Sequence, residues 1–78
     1  MSVISGIVTR NGRPIKNARV AAQMEGLVGY ITNPVFTDDS GRFLLQWDGT
    51  GNAAIVYCEG REVLRNVKNG SNNVHIAL

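Results

Sequence analysis

VFTDDSGRF, residues 35–43, carries two chemistries at once. Asp38, Asp39 and Ser40 beside Gly41 offer oxygen atoms that could hold a cation. The same residues are what a tight turn requires. Spacing separates the two. A helix–loop–helix calcium loop places oxygen ligands at alternate positions and a bidentate Glu at the twelfth. Counted from Asp38, the alternate residues are Ser40 and Arg42, and the twelfth is Gly49. Counted from Asp39 they are Gly41 and Phe43, with Thr50 twelfth. Neither count works, and only a looser site reaching Asp48 stays open. As a turn the stretch is coherent. Asp38 can accept backbone N–H groups, Gly41 can take positive φ, and Phe43 starts a strand.

The same alternation of short β-rich runs and turn residues extends over the whole chain. No window shows apolar residues at helical spacing without an interrupting Gly, Pro or Asn. VISGIVTR ends at Asn11-Gly12, a pair suited to a two-residue hairpin because both positions tolerate positive φ. ARVAAQM, PVFTD, RFLLQW, AAIVYC, EVLRNV and NVHIAL follow, separated by Gly-containing turns. About seven short strands spaced by turns are the pattern of an all-β sandwich or barrel, and a single antiparallel Greek-key sandwich over residues 1–78 is the fold expected.

Period-two alternation assigns the faces. Ile4, Gly6 and Val8 share one side; so do Val20, Ala22 and Met24, then Phe43, Leu45 and Trp47, then Val74, Ile76 and Leu78. Arg42, Leu44 and Gln46 fall on the opposite side, as does His75. Trp47 could offer a stacking surface, but its phase with Phe43 and Leu45 points to the core. AAIVYC is apolar on both faces and reads as a central strand. EGLVGYITNP, residues 25–34, fits the scheme worst, being either another short strand or a long connection. Its Leu27, Val28, Tyr30 and Ile31 are the candidate partner-contact residues, since apolar groups on a connection need covering. Tyr30 stays open between packing and contact with a partner.

The totals bound the function. At 78 residues the core is modest: a chain of this size buries only about 60% of its unfolded surface. One cysteine, Cys58, permits no internal disulfide, which favours a reducing compartment or a domain supported by neighbours. Net charge is +2, and the eight Lys and Arg form no run, which argues against nucleic acid as partner. The N-terminus has no signal-peptide pattern, and the longest apolar run is too short to span a membrane. The expected location is the cytoplasm or a larger particle.

Catalytic and metal chemistry find few residues. One His and one Cys cannot complete a tetrahedral zinc site within one chain. A Cys58–His75 pair would need an orienting acid, and Glu59 next to Cys58 would raise the thiol pKa. No catalytic residue, metal or cofactor is expected.

ISGIVTRNGRPIKNARV, TDDSGRF, a Gly turn and a closing VHIAL occur in that order. This order resembles the carboxypeptidase regulatory-like domain of the transthyretin-like (prealbumin-like) β-sandwich group. The matching positions are Gly6, Val8, Gly12, Pro14, Ile15, Ala18, Val20, Thr37, Asp38, Gly41 and Phe43, with Gly12, Pro14, Asp38 and Gly41 as the turns that mark the fold. The resemblance implies an accessory, spacer or interaction domain. It does not extend to the hydroxyisourate hydrolase branch, which uses several histidines and a C-terminal Tyr-Arg-Gly-Ser where this chain has His75 and HIAL. Nor does it supply the first-strand lysine of isopeptide-forming adhesin repeats, because Lys16 and Lys68 sit in or near turns.

The expected function is therefore a non-enzymatic structural or protein-interaction module, an accessory component of an assembly of phage-tail or secretion-machine type. Its partners would be other proteins or further copies of itself, with no nucleic acid and no membrane. The alternative is a small-molecule or carbohydrate-binding module that uses Tyr30; a minimal hydrolase stands third.

Overall fold

β1 (Ser2–Arg10) organises the molecule, because both of its edges are used. The structure is a computed structural model that describes residues 2–24, 31–48 and 51–78. Backbone groups of the even residues of β1 face one way: Val8 N–H donates to Gly41 C=O at 2.8 Å. On that side lies β5 (Arg42–Trp47), antiparallel, with Ser2 opposite Trp47 and Ile7 opposite Arg42. Backbone groups of the odd residues face the other way, where Ser5 N–H donates to Ser71 C=O at 2.9 Å and Leu78 N–H to Thr9 C=O at 2.8 Å. On that side lies β8 (Val74–Ala77), which runs parallel to β1 with Gly6 opposite Val74.

The Asn11-Gly12 pair forms the expected tight turn, with φ of 53° and 78°. It returns the chain only as far as β2 (Arg13–Pro14), where Arg10 faces Arg13. Pro14 lacks an N–H and stands at this exposed edge, as its chemistry requires. The chain then leaves the sheet. β3 (Arg19–Met24) belongs to a second sheet, ordered β4-β3-β6-β7, with β4 (Val35–Phe36), β6 (Ala53–Cys58) and β7 (Arg61–Val67). AAIVYC is central there, flanked by β3 and β7. A second tight turn at Glu59-Gly60, with φ of 54° and 79°, joins β6 to β7.

The inner faces meet in one apolar cluster. Ile4, Val8, Phe43, Leu45, Trp47, Val74 and Ile76 come from the first sheet, and Val20, Ala22, Met24, Ala53, Val56 and Cys58 from the second. Burying each of the larger aliphatic side chains contributes about 1.5–3 kcal/mol. Gly6 is in phase with this core face and has no room for a side chain. A Cβ there would stand 1.8 Å from the Val74 carbonyl oxygen, so glycine is what lets β8 close against β1.

Three expectations are corrected. Among the described residues there are eight strands where about seven were expected, because β2 and β4 are two-residue ribbons that alternation cannot resolve. The sheets are antiparallel except for the β1–β8 pair, whose parallel pairing depends on contacts between the two ends of the chain. Ala21, placed on the outer side by alternation, is buried as well. Among the described residues no helix is long and apolar enough to cross a membrane.

Candidate functional site

Residues 35–43 do structural work first. Asp38 Oδ1 accepts the N–H groups of Ser40 and Arg42, both at 2.9 Å. Asp38 N–H donates to Arg42 C=O at 3.0 Å, and Gly41 N–H to Asp38 C=O at 2.9 Å. Gly41, buried with φ of 75°, could not carry a Cβ, which would lie 2.7 Å from Val8 O. Thr37, just before the turn, is buried and ties β4 to the segment that enters β3. Its Oγ1 accepts Ala18 N–H at 2.9 Å, and its hydroxyl donates to Ile15 C=O. Asp39 points away and pairs with Lys16 at 3.0 Å between exposed side chains. The carboxylates of the turn are thus committed to backbone and surface, and no group of three His, Cys, Asp or Glu side chains forms a metal site among the described residues.

With the turn so held, the same stretch becomes one wall of a groove on the outside of the first sheet. The groove is open to solvent, has a volume of about 570 Å³ and runs from β4 across β5 and β1 to the residues that lead into β8. Phe36, Arg42 and Leu44 line one end, Ser5 and Ile7 the middle, and Asn73 the other end. Ser5 faces Leu44 and Ile7 faces Arg42 in the β1–β5 register, which brings these side chains onto one surface. Phe36 is 60% exposed and Leu44 54% exposed, although both are large and apolar. Asp38 also lines the groove, its Oδ1 held by two N–H groups of the turn. The Arg42 guanidinium has no ion pair or hydrogen bond among the described residues.

The residues singled out from sequence divide. Leu27, Val28 and Tyr30 lie outside the described residues. Ile31 is 54% exposed, bridges to Gln23 and is not part of the groove. Beside it the buried Thr32 holds to β3: its N–H donates to Ala22 C=O at 2.8 Å, and its Oγ1 accepts Ala22 N–H at 3.0 Å. Gly12 and Gly41 take positive φ in turns, Asp38 accepts an N–H of its own turn, and Pro14 lies in β2. Phe36 and Leu44 were not among the candidates, although the signal was present. Leu44 falls on the outer side of RFLLQW, and Phe36 follows the half-buried Val35 in a strand.

Cys58 and His75 are not brought together. Cys58 is fully buried in β6, where burial above all, and the Glu59 charge next, push its thiol pKa up against an opposing effect of Arg10. His75 projects from β8 on the first sheet and is hydrogen-bonded through Nε2 to Thr9 Oγ1 at 2.8 Å.

No family model matches the chain, and neither a curated protein nor a solved structure is detectably similar to it.

Proposed function

We propose that the chain is a non-enzymatic structural or protein-interaction module, a Greek-key β-sandwich of the transthyretin-like group that works as an accessory part of a larger assembly. The observation that carries this reading is the exposure of Ile31, Phe36 and Leu44, each more than half open to solvent in a domain with a modest core. Apolar groups of that size add nothing to the stability of an isolated domain when left in water, and a covering partner gives them a role. Their neighbours are held rigidly, Phe36 by the Thr37 hydrogen bonds and Leu44 by the β1–β5 ladder, so the surface is pre-organised for contact.

The strand order agrees with a Greek-key path, since the chain changes sheet between β1 and β3, between β4 and β5, between β5 and β6, and again before β8. A non-catalytic reading is favoured by the placement of Cys58 in the core and His75 on the outside of the other sheet. A phage-tail or secretion-machine setting is the kind of assembly in which so small a domain would be used.

The test compares wild type with an Ile31→Ser, Phe36→Ser, Leu44→Ser triple variant. Light scattering on the purified chains and recovery of each from its own cells in high-mass particles are the two readouts. Wild type should oligomerise or enter a stable particle, and the triple variant should do neither while melting as wild type does. A wild-type chain that stays monomeric and enters no particle would overturn the proposal.

A further inference from the structure

Arg42 is the point where the groove differs from a merely apolar surface. The outer face of the first sheet carries Val3, Ser5, Ile7 and Thr9 from β1, and Arg42, Leu44 and Gln46 from β5. Arg42 is the only charged side chain of these two strands' pairing on that face, and it makes no ion pair among the described residues. Asp38, the other charge lining the groove, holds two N–H groups of its own turn. A guanidinium with no ion pair among the described residues, in one groove with Phe36, Leu44 and Ile7, is complementary to a carboxylate that follows closely on an apolar side chain. Guanidinium–carboxylate pairs are bidentate and strong where water is displaced, and Arg beside aromatic groups is a common anchor of protein contacts.

We propose that this groove binds a short segment of a partner protein in which an Asp or Glu lies next to a bulky apolar residue. The apolar side chain packs between Phe36 and Leu44, the carboxylate meets Arg42, and the amides of Asn72 and Asn73 hydrogen-bond the segment's backbone at the far end. A volume of about 570 Å³ lies within the range of specific ligand sites. A peptide fits better than a sugar because the accessible apolar wall is mostly aliphatic, Leu44, Ile7 and Val35, with Phe36 as the one exposed aromatic ring among the lining residues. This inference rests on the interaction-module reading and names the partner chemistry for one surface of it.

The experiment is a selection from a displayed library of random short peptides on immobilised wild-type chain, run in parallel on Arg42→Glu and Phe36→Ser variants that melt as wild type does. Wild type should enrich peptides with Asp or Glu beside Leu, Ile or Phe. Arg42→Glu should switch the acidic preference to Lys or Arg, and Phe36→Ser should weaken the synthesised consensus peptide about tenfold. That peptide should shift the amide NMR signals of Ile7, Arg42, Leu44 and Asn73. Enrichment that both variants leave unchanged, or no enrichment at all, overturns the groove assignment. It leaves the module reading to the particle and light-scattering test above. Signals of the groove that move with acidic oligosaccharides and not with peptides overturn the peptide assignment in favour of a sugar.

Discussion

The two faces of β5 are built from adjacent residues and serve opposite ends. Phe43, Leu45 and Trp47 point inward and are almost wholly buried, while Arg42 and Leu44 point outward into the groove. Leu44 and Leu45 are the same amino acid one position apart, the first 54% exposed and the second fully buried. The difference between them is direction alone. Inner residues belong to the buried cluster of the sandwich, and outer residues face solvent, where substitution is expected to disturb packing less.

Substitutions that separate the two faces test this division. Gly6→Ala should cost most, because the new methyl would overlap the Val74 backbone and β8 would have to leave β1. A loss of roughly 3 kcal/mol or more is expected in denaturant unfolding, at the high end for single substitutions. Leu45→Ala should cost about 3 kcal/mol through lost burial and the cavity left behind. Thr37→Val keeps the shape but removes the hydroxyl, leaving Ala18 N–H and Ile15 C=O without their partner. About 1–3 kcal/mol should be lost, and hydrogen exchange at Ala18 should accelerate, since this residue links the groove wall to the core. Leu44→Ser should have the smallest effect on stability, within about 0.5 kcal/mol. If Leu44→Ser destabilises as much as Leu45→Ala, the outer face is part of the folding core and the division fails.

Much of this was legible beforehand for a local reason. The turns at Asn11-Gly12, Asp38–Gly41 and Glu59-Gly60 depend on residues next to one another, and each has the positive φ or the side-chain acceptor that its sequence implies. The inward sets of β1, β3, β5 and β8 follow from alternation. The candidate site was less legible. EGLVGYITNP stands out because it fits no strand pattern, whereas Phe36 and Leu44 lie within strands and stand out only as apolar residues on an outer side. What makes them notable is their meeting with Arg42, Ile7 and Asn73 in a groove built from three distant stretches of the chain, residues 35–44, β1 and the approach to β8.

The chain's amino acids alone specify short strands, their buried faces and the chemistry of their turns, because those are set by neighbours within a few positions. The parallel closure of β8 on β1, the departure of the chain to the second sheet after Pro14 and the groove that crosses β5 and β1 come from packing between distant segments. Gly6 joins the two levels. In sequence it is a gap in a strand's apolar row, and in the folded sheet it is where the last strand begins to pair with the first, too close for a side chain.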